Sequence, residues 1–170
     1  MNSSINLWPD ELKVLIVDDE QDILNLMRLS LEPAGFRVLR TTNPEEGLDL
    51  AFREQPDLLL LDIMMPSIDG LELLRRIRLH PKLAHMPAII ISARANSADQ
   101  LRMLKLCETD EDDIAAYLGK PFDPAILLKT VKNVLVEHRD FLIEKKKAVA
   151  IPLEALSPVA FDETREVLIY

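Results

Sequence analysis

The sequence predicts an α/β protein, a five-stranded parallel sheet with helices on both faces. Two observations carry this expectation. Five short apolar runs alternate with segments of helical periodicity, and no hairpin signal joins any two of the runs. The first and third runs, "LKVLIV" and "PDLLLLD", are nearly continuous in their apolar character rather than alternating, the mark of strands buried on both faces. The 170 residues suffice for one domain with a full core and a short appendage, and a content of 48% hydrophobic and 29% charged residues is ordinary for a globular chain.

In chain order, residues 1–9 read as an N-terminal arm and "LKVLIV" as the first strand. Ile23, Leu26, Met27, Ser30 and Leu31 follow at helical spacing, with Leu24 and Leu29 beside them, until Pro33 and Gly35 break the helix. "RVLRTT" is the second strand. "NPEEGLDLAFREQ" is a helix with Asn43 as its cap and Pro44 in its first position. "PDLLLLD" is the third strand, ending on Asp62, and "MMPSIDG" a loop. "LELLRRIRLH" is a helix with Leu71, Leu74 and Ile77 on one face. "MPAIIISA" is the fourth strand, "SADQLRMLKLC" a fourth helix and "IAAYLG" a weaker fifth strand. "KPFDPAILLKTVKNVLVEH" opens a long last helix behind Pro121 and Pro124.

Composition narrows the function. A net charge of −9 argues against direct binding of nucleic acid. Lys145, Lys146 and Lys147 form the one basic cluster and read as the solvated end of a helix. No apolar run approaches membrane-spanning length, and the N-terminus lacks the pattern of a secretory signal. The single Cys107 fits a reducing compartment, so the expected location is cytoplasmic. With only Gly35, Gly47, Gly70 and Gly119, the chain has no glycine-rich phosphate loop.

In open parallel sheets ligands bind beyond the carboxyl ends of the strands. Those ends carry Asp18 and Asp19, Asp62, Ser92 and Lys120. Converging carboxylates repel unless a hard cation neutralises them, and Mg²⁺ takes such oxygen ligands while keeping several waters. A metal, an ammonium and a hydroxyl together suit a phosphoryl group, and a carboxylate can be the group that accepts it. Asp62, alone at a central strand end, is the candidate acceptor. Taken singly the residues have plainer readings: an Asp after a strand is commonly a helix cap, and Lys120 could be an ordinary surface lysine. Glu20 is assigned to the start of the first helix rather than to the site.

The segments "VLIVDDE", "PDLLLLDIMMPSIDGLELL", "PAIIISAR" and "YLGKPF" together resemble the receiver domain of two-component response regulators, over roughly residues 10–138. Asp19 and Asp62 lie 43 residues apart and Asp62 and Ser92 lie 30 apart, spacings that agree with that family. The resemblance implies a doubly wound, flavodoxin-like sheet with strand order 2-1-3-4-5. It implies that Asp62 is the phosphoacceptor and that Asp18, Asp19, Asp62 and the backbone carbonyl of Met64 hold Mg²⁺. Ser92, the Ala93 amide and Lys120 would bind the phosphoryl oxygens, and Tyr117 would swing inward as Ser92 moves. A plain packing role is the alternative for Tyr117. The implied partners are a sensor histidine kinase or phosphotransfer protein and an output protein, contacted through the fourth helix, fifth strand and last helix.

Two departures stand out. Ser92 and Lys120 are 28 residues apart, longer than usual for the family, and an acidic run in "CETDEDDIAA" fills the extra length. In the last helix, Ile126 and Thr130 occupy positions where the winged-helix subfamily pairs an acid and an arginine across a dimer. A homodimer of that kind is therefore disfavoured, other homodimers stay open, and a buried Ile126 is the simplest expectation. The receiver is expected over 10–140 and a C-terminal helix extension and tail over 141–170. An apolar stripe through Val131, Val134, Leu135, His138, Phe141 and Leu142 suggests a last helix that projects. The resulting expectation is a phosphorylation-controlled binding module, not an enzyme with an external substrate. An aspartyl-phosphate phosphatase would place a second acid two residues after the nucleophile, where this chain has Met64. A scaffold that is never phosphorylated would typically lack one of the acids or the lysine, and all are present.

Overall fold

The computed structural model describes residues 11–66, 68–93, 114–138, 140 and 142–144. The expected fourth helix over 97–107, the acidic run from Glu108 to Asp113, Cys107, the lysines 145–147 and the tail lie outside them.

Five parallel strands form one sheet in the order β2-β1-β3-β4-β5, with β1 at Lys13–Val17, β2 at Arg37–Thr41, β3 at Leu58–Asp62, β4 at Ala88–Ser92 and β5 at Ile114–Gly119. The expected strand order is the observed one. Every residue of β3 and β4 and all of β1 beyond Lys13 is buried, whereas the edge strands β2 and β5 are mostly half-exposed. This explains why the central strands read as unbroken apolar runs and the fifth as a weak one.

Side chains alternate across the sheet and divide the core in two. On one face Val14, Ile16, Leu58 and Leu60 pack with α1, Gln21–Leu31, and with the C-terminal helix, Pro124–Glu137. On the other, Leu15, Val17, Leu59 and Leu61 pack with α2, Pro44–Glu54, and α3, Gly70–Arg78. Three of these helices start on side-chain caps. Asn43 accepts from the Glu45 and Glu46 amides, Asp69 from the Leu71 amide and Asp123 from the Ala125 amide, each satisfying donors the helix cannot pair internally. Pro44 and Pro124 sit in first-turn positions where a missing N–H costs nothing.

Four details depart from the expected pattern. In α1 the buried stripe is Leu24, Met27 and Leu31, while Leu26 and Leu29 face solvent. In α3 the buried face is Gly70, Leu73, Leu74 and Ile77, with Leu71 only half-buried. Ile126 is 55% exposed, so the C-terminal helix does not bury it. Nor does the stripe beyond that helix project. The helix ends at Glu137 with His138 as its C-cap, helical residues resume by Asp140, and Leu142 is 1% exposed within the α1-side core.

Two glycines set close approaches. A Cβ on Gly47 would lie 2.8 Å from Val17 Cγ2, so α2 sits against β1 because the residue has no side chain. A Cβ on Gly70 would collide with the Asp62 carbonyl oxygen and lie 2.7 Å from Ile63 Cα, both backbone atoms. The first turn of α3 thereby presses on the strand end that carries Asp62.

Candidate functional site

The sheet register brings the charged strand ends into one crevice. Asp62 closes β3 opposite Ile91, Ser92 closes β4 opposite Gly119, and Lys120 follows at once, its amide donating to the Ser92 carbonyl at 2.9 Å. Asp18 extends β1 by one residue, its amide donating to the Thr41 carbonyl at 3.3 Å. Asp18, Asp62 and Ser92 are thus delivered by the interior strands β1, β3 and β4, and Lys120 by the edge strand β5 beside β4.

Lys120 Nζ lies 2.8 Å from Asp18 Oδ2, 2.8 Å from Asp62 Oδ2 and 2.8 Å from Glu20 Oε1. The remaining oxygens of the two aspartates are held by backbone. Asp18 Oδ1 accepts from the Glu20 amide at 2.9 Å, and Asp62 Oδ1 from the Met64 amide at 2.8 Å. Asp18 and Asp62 are buried, with 0% and 4% exposure, and only the Glu20 side chain reaches well into solvent.

Burial pushes the Asp18 carboxyl up from its ordinary value, further than the Lys120 ammonium and the Glu20 amide pull it down; the Asp62 charge adds to the rise. For Lys120 burial acts to lower the pKa, but the Asp18 carboxylate 2.8 Å away and hydrogen bonds to Asp62 and Glu20 outweigh it and hold the ammonium above the normal lysine range. The crevice therefore contains a fixed positive charge inside a surplus of negative charge.

That surplus fits a cation. Oxygens of Asp18, Glu20 and Asp62 all lie within 4.8 Å of one another. Asp18 Oδ2, completely buried, has its ion pair with Lys120 but no well-aligned hydrogen bond. A set of carboxylate oxygens with a lone pair left over suits a hard dication.

Of the residues named from sequence, Asp18, Asp62 and Lys120 meet directly. Ser92 is buried at the adjoining strand end and Ala93, exposed, follows it. Tyr117 lies in β5 and packs against the core on the α2–α3 side. Met64, 46% exposed, offers its amide to Asp62. Asp19 is exposed and lies outside the set of converging carboxylates.

Glu20 corrects the sequence reading. It is the N-cap of α1, but its side chain makes no capping bond and joins the site through Lys120, 100 residues away. Gly70, which the sequence places at the end of a loop, is the first residue of α3. No local signal marks either one, because an acid after a strand reads as a cap and the approach of α3 to Asp62 is tertiary.

Fold and site define a doubly wound α/β protein with an acidic, cation-accepting crevice at the carboxyl ends of its central strands. Residues 14–132 match the response regulator receiver domain, and the chain belongs to that family. Among curated proteins, it is 38% identical over 122 residues to the transcriptional regulatory protein GltR of Pseudomonas aeruginosa, covering 72% of this chain and 48% of that protein. It is 36% identical over 123 residues to the alkaline phosphatase synthesis transcriptional regulatory protein PhoP of Bacillus subtilis, with the same coverage, 72% and 48%. The chain thus spans about half the length of these two regulators. A 14.6 kDa protein of Leptolyngbya boryana is 38% identical over 123 residues, 72% of this chain and 89% of that one.

Among solved structures, the chemotaxis response regulator CheY4 of Vibrio cholerae matches with a TM-score of 0.66 at 26% identity, covering 74% of this chain and all of that one. A CheY-like receiver domain protein from Methanospirillum hungatei matches with a TM-score of 0.65 at 30% identity, covering 77% and 98%. The chain is a receiver domain of the two-component type and a signalling module rather than a conventional enzyme. No helix among the described residues is long and apolar enough to cross a membrane.

Proposed function

We propose that Asp62 accepts a phosphoryl group from the phosphohistidine of a sensor histidine kinase or phosphotransfer protein, in a Mg²⁺-dependent reaction that this domain itself catalyses. The observation that carries the reading is the Lys120 ammonium held 2.8 Å from both Asp18 and Asp62 at buried strand ends. Asp18 and Asp62, joined by Asp19 and the Met64 carbonyl as the resemblance implies, would hold the metal, whose chemistry when bound would be to offset the negative charge between acceptor and phosphoryl group.

In the transfer an Asp62 oxygen forms a bond to phosphorus as the donor's N–P bond breaks. The electron pair leaves with the imidazole, which takes up a proton. Asp62 Oδ1 is fixed by the Met64 amide, which leaves the carboxylate oriented before the donor arrives. Lys120, Ser92 and the Ala93 amide take the phosphoryl oxygens as negative charge builds on them. Ser92 then moves toward the phosphate and Tyr117 swings inward. This biases the face of β5 and the C-terminal helix toward an output partner. The half-length match to GltR and PhoP supports a receiver that serves a separate output function, and the module works in the cytoplasm.

The test is incubation with Mg²⁺ and acetyl phosphate, or with beryllofluoride, beside Asp62→Asn. The expected result is one added phosphoryl group, labile to base, stable to acid and absent from the variant. A wild type that stays unmodified and binds no beryllofluoride would overturn the reading.

A further inference from the structure

We propose that Glu20 is a positioning residue, a displaceable latch on Lys120 that an incoming phosphoryl oxygen has to dislodge. The proposal rests on the phosphoacceptor reading of Asp62.

An ammonium offers three protons. Oxygens of Asp18, Asp62 and Glu20, each 2.8 Å from Nζ, already surround the one on Lys120. Two of them, on Glu20 and Asp62, accept hydrogen bonds from Nζ, and Asp18 Oδ2 stands as close without an aligned one, so a phosphoryl oxygen entering this crowded shell displaces one of the three. Asp18 and Asp62 are fixed: both are buried, both sit at strand ends, and each has its other oxygen tied to a backbone amide. Glu20 differs on every count. Its side chain is 60% exposed, it forgoes the capping bond its position in α1 would allow, and Lys120 is its ion-pair partner. An exposed pair is the weakest of the three, so Glu20 is the carboxylate that leaves. Until it does, its charge also repels the anion that Lys120 is to receive.

Glu20 is thus a competitor of the phosphoryl group rather than part of its support. Removing it favours the anion-bound state. Beryllofluoride serves as the probe, measured at saturating Mg²⁺ on wild type, Glu20→Gln, Glu20→Ala and Asp62→Asn. Both Glu20 variants are expected to bind it about two- to five-fold more tightly, the range set by an exposed ion pair. The gain should shrink as salt rises, because the competing pair is solvent-screened. In the metal-free state the ¹⁵Nζ signal of Lys120 should shift in both variants, a change that a helix-capping role would not produce. Thermal midpoints of the variants report whether the fold is intact.

If wild type fails to bind beryllofluoride, the phosphoacceptor reading falls. If wild type and not Asp62→Asn binds it, and the Glu20 variants bind equally or more weakly, the latch alone is refuted.

Discussion

Asp18 is completely buried, and the protein keeps a carboxylate there against its desolvation. The raised folded-state pKa fixes the sign of the effect. Between the unfolded and the folded pKa the native protein holds more protons, so stability falls as pH rises through that interval. In metal-free protein, Asp18→Asn should therefore raise the thermal midpoint at neutral pH. The advantage should vanish as pH falls below the unfolded carboxylate value. Melting curves across pH check this, and a midpoint equal to or below wild type at neutral pH would contradict it. At this scale the sequence shows the aspartates well, because an apolar run that stops on a carboxylate is unusual inside a sheet. It hides Glu20, whose partner is fixed only by the sheet register. It hides Gly70, whose necessity lies in the backbone of Asp62 and Ile63.

At the scale of elements, burial separates leucines that look alike in the sequence. Leu142 is 1% exposed and belongs to the α1-side core, whereas Leu29 is 61% exposed. Leu142→Ala should cost about 2–5 kcal/mol, the usual loss for emptying a buried leucine site. Leu29→Gln should change stability by no more than about 0.5 kcal/mol, as surface substitutions generally do. Denaturant unfolding of the two variants measures both, and similar losses would contradict the assignment. Strands and capped helices were legible because their signals are local: apolar runs for β1 and β3, and Asn43 with Pro44 for α2. Which side of α1 turns inward was not legible. Leu24 and Leu26 are equally apolar, and only the packing of α1 beside the C-terminal helix selects Leu24. Ile126 shows the same limit from the other direction, apolar in type yet turned outward.

For the molecule as a whole, the acidic crevice links folding to cation concentration. A cation that binds only the folded chain stabilises it by mass action, ~2.7 kcal/mol at a hundredfold excess over its dissociation constant. Mg²⁺ should accordingly raise the midpoint by about 5–10 °C at such an excess. Asp62→Asn should lose most of that rise, and an equal rise in both proteins would place the cation elsewhere. The topology was legible as a whole because alternating strands and helices admit few arrangements, and the family resemblance selected the observed order. The place where the globular body ends was not, since the stripe through Leu142 reads equally well as a helix standing free. Its burial bears on reach. Any stretch of chain beyond residue 144 pays out from a point moored in the core, not from the end of the C-terminal helix at Glu137. Five residues of slack, 138–142, roughly 17 Å when extended, are withdrawn from the tether, which keeps whatever it carries on a shorter leash.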